Sequence, residues 1–378
     1  MKIAIEAQRI FRPRKHGMDF VALEMIRELQ KIDTVNEYRI YVKPDTDRCL
    51  SETPNFKIVE LPAFGYPMWE QWSLPRAVES WKPDILHCTS NTAPIFTSAK
   101  LVITLHDIIF LEKGHEDGTK NKSFYQQMGK YYRKLVVPLV LKKATKIITV
   151  SRFEQKRITE ALQLPADKLT AVYNGFSNYF YPREKDAHVT SKYGLPDRYF
   201  FFLGNTDPKK NTRRVLEAYS AYLKTSTAPA KLVIADLKEE FISHFDVWKD
   251  EEFRKNIVLL GYVFNTDLPT IYSMADIFLY PSLRESFGIP ILESMACGVP
   301  IITSNTSAMP EIAGNGALLI DPFDENDILE KILLLENKPE IVQKQREYGL
   351  SRVKLFSWRK TAEDVLLIYN SIMNPKTN

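Results

Sequence analysis

Apolar residues in this chain fall into short runs separated by stretches of helical periodicity, and that alternation predicts its architecture. Residues 2–7 alternate in the manner of a buried strand. Residues 17–31 follow with Val21, Met25 and Leu29 spaced four apart on one helical face. Further strands are predicted over 38–42, 57–61, 85–89, 101–105, 146–150 and 168–173, with helical segments between most of them. Ser151-Arg-Phe-Glu154 has the form of a capping box and starts a helix directly behind a strand, a role that accounts for Ser151. From 177 to 196 the periodicity lapses into a polar, aromatic, Pro-containing stretch that reads as a linker. Alternation then resumes with strands over 199–203, 231–235, 256–262, 277–280 and 301–304, and helices over 211–223 and 268–275. Two runs of repeated strand–helix units predict an α/β protein of two Rossmann-like, doubly wound domains, 1–176 and 197–357, with a final helix from 358 to 378.

Composition narrows the classes. At 378 residues the chain can bury two full cores. Its net charge of +4 is too balanced to indicate nucleic acid. Cys49, Cys88 and Cys297 lack any CxxC spacing, and the six histidines show no paired metal motif, so neither a disulfide framework nor a metal is expected. The opening residues run straight into a strand without a signal-peptide pattern, and no apolar stretch is long enough to span a bilayer, so a cytoplasmic location is expected. Neither domain carries GxGxxG after its first strand, which counts against a nicotinamide or flavin enzyme.

The chemistry concentrates in Pro281-Ser-Leu-Arg-Glu-Ser-Phe-Gly-Ile-Pro-Ile-Leu-Glu-Ser-Met-Ala-Cys-Gly-Val-Pro300, which lies between two strand-like runs. Pro290 is expected at about the first position of a helix, where a missing N–H costs nothing. The backbone N–H groups of Ser286, Phe287, Gly288 and Ile289 would then gather at a helix N-terminus, a setting suited to phosphate. Glu285 and Glu293 bracket that position. A carboxylate accepts hydrogen bonds without donating any, so each can hold neighbouring sugar hydroxyls. Phosphate in the middle with a diol at either end describes a nucleotide-sugar.

Residues 261–322, GYVFNTDLPTIYSMADIFLYPSLRESFGIPILESMACGVPIITSN and the following MPEIAGNGALLIDP, resemble the donor-binding half of the family 4 retaining glycosyltransferases, and the resemblance runs through almost the whole chain. It implies a GT-B architecture: two Rossmann-like domains facing across a cleft, no metal or other cofactor, and a C-terminal helix that crosses back to the first domain from about Ser357-Trp358. It implies that Glu293 meets the donor ribose and Glu285 the hydroxyls of the sugar. Gly204-Asn-Thr-Asp-Pro-Lys-Lys-Asn211 resembles the family's G…PRKN loop, with Lys209 and Lys210 as the basic pair on the diphosphate and Asn205 where many relatives have arginine. Fixed cations there would stabilise the departing nucleoside diphosphate. His106, in the His106-Asp107 pair at a strand end, resembles the histidine beside the transferred sugar, and Gly17 resembles the first glycine of G-I-G-R-Y, whose second glycine and arginine are absent here. Ser286 replaces a glycine of the family's E-G-F-G, and Glu311 is either a helix-start carboxylate or a ribose contact.

Residues 119–146 contain eight lysines and arginines with interleaved tyrosines and no acidic residue, a composition suited to an anionic membrane surface. The expected activity is hexose transfer, mannose or glucose, from a nucleotide-sugar to a glycan or lipid-linked acceptor. The expected partners are that donor and acceptor, not nucleic acid. The location is expected to be cytoplasmic, with peripheral membrane contact. A nucleotide-sugar epimerase and a non-catalytic nucleotide-sugar-binding subunit are the alternatives.

Overall fold

A computed structural model describes residues 1–62, 64–111 and 124–374. The chain divides into two compact units, Met1–Gly175 with Trp358–Asn378, and Phe176–Ser357.

The first unit is built on seven strands: β1 (Lys2–Glu6), β2 (Glu37–Val42), β3 (Phe56–Glu60), β4 (Ile85–Cys88), β5 (Lys100–Thr104), β6 (Lys146–Thr149) and β7 (Leu169–Ala171). They lie in the order 3-2-1-4-5-6-7, every neighbouring pair parallel. Side chains alternate between the faces of a strand, so β1 serves two cores. Ile3 and Ile5 pack with Ala22, Met25, Ile26 and Leu29 of the helix Gly17–Ile32, while Ala4 joins Trp69, Leu74, Val137 and Val140 on the other face. Helices on both faces suit an all-parallel sheet, whose strands are buried on both sides.

The helix Trp358–Met373 belongs to this first unit, as the resemblance implied. Its Ala362, Val365, Ile368, Tyr369 and Ile372 enter the same core as Ile3 and Ile5. Tyr369 Oη lies 2.6 Å from His87 Nδ1, and His87 Nε2 lies 2.8 Å from Thr104 Oγ1. Burial pushes the His87 imidazole down to about 3, so it is neutral and serves as a hydrogen-bonding link between the sheet and the terminal helix.

The second unit holds β8 (Tyr199–Leu203), β9 (Lys231–Ala235), β10 (Ile257–Gly261), β11 (Ile277–Tyr280), β12 (Ile301–Ser304) and β13 (Leu318–Ile320), in the order 10-9-8-11-12-13 and again all parallel. The stretch 177–196, expected as a linker, is built into this unit. Asp186 accepts from the backbone N–H groups of His188 and Val189 and caps a helix over Ala187–Tyr193. Phe180 is buried, edge-on to Tyr272, and Arg183 N donates to Ser273 Oγ. Of the aromatic residues that broke the periodicity, Phe180 is there because it packs.

Three further features lie outside the alternation pattern. A π-helical turn, Trp69–Ser73, buries Trp69, whose indole N–H donates to Leu61 O over 2.8 Å. Helices Glu325–Asn337 and Pro339–Arg352 fill the end of the second unit, and β13 is only three residues long. No described helix is long and apolar enough to cross a membrane.

In both sheets the strand order reverses direction once, between β1 and β4 and between β8 and β11. Connections from such a pair diverge to opposite faces, and the space left outside their carboxyl ends is where open α/β sheets bind ligands.

Candidate functional site

In the second unit, the loops leaving β8 and β11 are tied together. Asp207 accepts from Lys209 N over 3.0 Å and caps a short 3-10 turn, Pro208–Lys210. Asn211 sits at φ 62° and donates from Nδ2 to Pro281 O (3.0 Å) and Pro322 O (2.7 Å). Leu283 N donates to Lys209 O over 2.7 Å. These bonds carry Lys210 across to the second loop, where its Nζ lies 2.7 Å from Glu285 Oε1 and 3.1 Å from Tyr280 Oη. Lys209 is more exposed, its Nζ 3.8 Å from Asp207. Gly204 has a packing reason of its own, since a Cβ there would stand 2.5 Å from Leu237 Cδ1.

The 281–288 loop is buttressed from β12, whose Thr303 Oγ1 donates to Tyr280 O and Ser304 Oγ to Ser282 O. Ser286, Phe287 and Gly288 lead into the helix Ile289–Ala296, with Gly288 as its cap. Pro290 takes the second helical position, within the first turn as expected, where its missing N–H costs nothing. Gly288 has φ 98°, and a Cβ would crowd Ile291 Cδ1 at 3.2 Å, so both backbone conformation and space call for glycine. Phe287 is buried edge-on to Phe356, which anchors the loop just before the helix start.

The two bracketing carboxylates occupy different environments. Burial drives the Glu285 carboxyl up, but the charges of Lys210 and Lys209 and hydrogen bonds from Lys210 and Tyr280 outweigh it, and the group sits below its ordinary range. Glu293 lies on the second turn of the helix. Burial pushes it up to about 7, opposed only by Tyr272, whose Oη lies 3.4 Å from Oε2. Tyr280 is buried within electrostatic reach of both. Glu311 stands in the first turn of the helix Met309–Ala313, a position that its charge favours.

In the first unit, His106 follows β5 and is buried. Its backbone N–H donates to Asn91 Oδ1 over 2.7 Å, and its Nε2 lies 3.0 Å from Thr89 O. A carbonyl cannot donate, so Nε2 carries the proton and Nδ1 is left as an acceptor. Burial lowers the imidazole below its ordinary value, which favours this neutral form. Gly17 opens the helix Gly17–Ile32, and a Cβ there would meet nothing within 4 Å. The fold alone does not require glycine at that position.

Sequence reasoning passed over three nearby groups. Arg9 and Arg12, on the loop after β1, converge on buried Asp19 at 3.0 and 2.7 Å. Asp19 also accepts from His16 N, so the residue standing in place of the family's second glycine holds the helix start and both arginines. Glu6, at the end of β1, is pushed up to about 7 by burial. Position directly behind the first strand was the available signal. A groove of about 740 Å³ in the same unit is lined by Arg76, Glu79, Phe96 and Lys143 among others, and none of the candidate residues borders it.

Residues 16–177 match the family model described as Glycosyltransferase Family 4, and residues 186–352 match that of Glycosyl transferases group 1. The chain belongs to glycosyltransferase family 4. O-antigen chain mannosyltransferase B of Escherichia coli is 31% identical over 241 residues, which are 61% of this chain and 61% of that relative. The serotype-specific mannosyltransferase WbdA of Escherichia coli is 28% identical over 277 residues, 70% of this chain but only 32% of that relative. O-antigen chain mannosyltransferase RfbU of Salmonella typhimurium is 24% identical over 285 residues, 74% of this chain and 73% of that relative. The chain thus spans 61% and 32% of the length of the first two. Among solved structures, sucrose-phosphate synthase from Thermosynechococcus elongatus superposes with a TM-score of 0.74 at 17% identity, covering 98% of this chain and 99% of that one. Anabaena HepE in complex with UDP and glucose gives 0.72 at 15%, covering 98% and 100%. These likenesses establish the GT-B fold for this family 4 glycosyltransferase.

Proposed function

We propose that this family 4 chain transfers a hexose from a nucleoside diphosphate sugar to a hydroxyl of a glycan or lipid-linked acceptor in polysaccharide or envelope synthesis, with retention at the anomeric carbon and without a metal. The observation that carries the reading is the meeting of Lys210 and Glu285, with Gly288 and the start of the helix Ile289–Ala296 a few residues on, at the β8–β11 switch point. A cation, a carboxylate and a helix N-terminus together suit a phosphorylated sugar. Mannose is the favoured hexose, supported by the three relatives named as mannosyltransferases, and a nucleotide donor by the UDP in the Anabaena structure.

On this reading the diphosphate draws on Lys210, Lys209 and the backbone N–H groups of Ser286 to Ile289, while Glu285 accepts from the sugar hydroxyls and Glu293 from the ribose diol. Gly17 leaves room for close approach of a ligand to the backbone. His106 presents its Nδ1 acceptor to a hydroxyl of the transferred sugar. The acceptor oxygen attacks C1 from the face that the diphosphate leaves. The C1–O bond to phosphate breaks, its electron pair stays on the diphosphate, and a diphosphate oxygen takes the acceptor's proton. Lys210 and Lys209 stabilise the charge that builds there.

A thermal-shift panel of GDP-, UDP-, ADP- and dTDP-sugars, with and without Mg²⁺, on the wild type and Glu293→Ala, tests the donor site. A donor present at about 100 times its Kd stabilises the fold by about 2.7 kcal/mol. One strong shift, independent of Mg²⁺ and lost in the variant, is expected. No shift with any nucleotide-sugar overturns the donor assignment, and an inverted anomeric centre in the product overturns the mechanism.

A further inference from the structure

The helix Phe124–Lys143 in the first unit presents an apolar stripe to solvent. Met128, Tyr131, Leu135 and Leu139 are 54%, 70%, 71% and 48% exposed, whereas Val136, Val137, Val140 and Leu141 face the core. At 100° per residue the four exposed side chains fall within about 80° of the helix circumference. Lys142 falls inside that arc, and Lys134 and Lys143 flank it. The helix holds no acidic residue, and its five basic residues are Lys130, Arg133, Lys134, Lys142 and Lys143. Lys120 and Lys122 lie outside the described residues.

Neighbouring segments extend the patch. Lys143 donates to Ile95 O and holds its ammonium 4.5 Å from the ring of Phe96, which is 76% exposed. Gln71 Nε2 donates to Tyr132 Oη over 2.7 Å, and the adjacent Trp72 is exposed, with Arg76 over its ring. Tyr132 also donates to buried Glu70, so the helix is held in place and its outer stripe is a fixed feature.

A solvated helix face carries polar residues on its outer arc; this one carries two leucines, a methionine and a tyrosine. An apolar strip bordered by charge of a single sign has the composition of a helix that lies in a bilayer interface. The cores of protein–protein interfaces are depleted in lysine, and a symmetric pairing of two copies would set these lysines against each other. We infer that this helix, with Phe96 and Trp72 beside it, is a docking surface for an anionic lipid bilayer, the stripe entering the headgroup boundary while Lys134, Lys142 and Lys143 meet lipid phosphates. A lipid-linked acceptor would be met at the surface that carries it. The inference stands independently of the donor site, because vesicle binding and donor binding are read in separate assays.

Flotation of the full chain with vesicles of phosphatidylcholine alone, and of phosphatidylcholine with a minority of phosphatidylglycerol, tests it. Binding to the mixed vesicles only is expected, weakening as salt rises. Leu135→Glu with Leu139→Glu lowers the partition about a hundredfold. Lys134→Glu with Lys142→Glu, a change confined to exposed side chains, lowers it roughly thirtyfold. Both variants are expected to keep the wild-type melting temperature and donor response. Failure of the wild type to bind the mixed vesicles overturns the inference, as does undiminished binding by the lysine variant. Self-association by sedimentation that the leucine variant abolishes, without vesicle binding, would assign the stripe to a second copy of the chain instead.

Discussion

At the β8–β11 switch point a lysine and a glutamate are paired in partial contact with solvent, Lys210 Nζ standing 2.7 Å from Glu285. At the β1–β4 switch point and the strand beside it, the group proposed for a sugar hydroxyl is His106, buried and uncharged, with its proton pinned on Nε2 by Thr89 O. The first arrangement stores charge; the second stores a lone pair. A diphosphate needs fixed positive charge, which a partly exposed ion pair can redirect without a large desolvation cost. A sugar hydroxyl needs an acceptor of known orientation, and a neutral imidazole with one nitrogen already committed supplies it. Within the second unit the contrast recurs between Glu285, which a cation holds ionised, and Glu293, which burial leaves near neutrality.

The largest effect is expected from Lys210→Ala, which removes the cation and strands Glu285. The transfer rate at saturating donor is predicted to fall about a thousandfold. A loss smaller than about tenfold would show that the charge of this lysine does not act on the leaving group.

Glu293→Gln sharpens the contrast between the carboxylates. A carboxyl raised to about 7 in the fold holds its proton longer than it does in the unfolded chain. Its contribution to stability is complete below its ordinary value of 4.5 and is lost as pH rises through 7. Glutamine cannot ionise, so the variant is expected to gain up to about 3 kcal/mol over wild type above pH 7, with little difference near pH 4.5. Its donor affinity is expected to fall. Denaturant melts at pH 5 and pH 8 measure the first effect, and a difference that does not change with pH would place Glu293 in the ordinary range.

The smallest effect on the fold is expected at Gly17. With nothing within 4 Å of a Cβ, Gly17→Ala should change stability by no more than about 0.5 kcal/mol. Its KM for donor or acceptor should rise if a ligand approaches the backbone. Unchanged kinetics would leave the first switch point with His106 as its contact.

The sheets were legible in the sequence because parallel strands buried on both faces leave continuous apolar runs, as Tyr199–Leu203 and Ile277–Tyr280 do. The loop from Glu285 to Gly288 was legible because its backbone needs are written in residue type: a glycine at positive φ, then a proline in the first turn. Other features left no periodic trace. The stretch 177–196 looked like a linker because Phe180 follows packing demands rather than a repeat. The Arg9–Asp19–Arg12 cluster and the Lys210–Glu285 pair join residues distant along the chain or on irregular loops, where side-chain direction cannot be read from spacing. The apolar outer face of the helix Phe124–Lys143 was hidden for a related reason. The basic composition was plain, but only the fold shows which leucines are left outside.

The hydrogen bond between His87 and Tyr369 joins residues 282 positions apart. Synthesis runs from the amino terminus, at roughly 5–20 residues per second. The strands of the first sheet therefore emerge and wait on the order of a quarter of a minute to a minute before the helix that completes their core exists. During that interval Ile3, Ile5 and Met25 lack part of their cover, and the ribosome-bound first unit is an unfinished body. The nascent chain thus has a window in which chaperones would find their substrate in its earliest-made half.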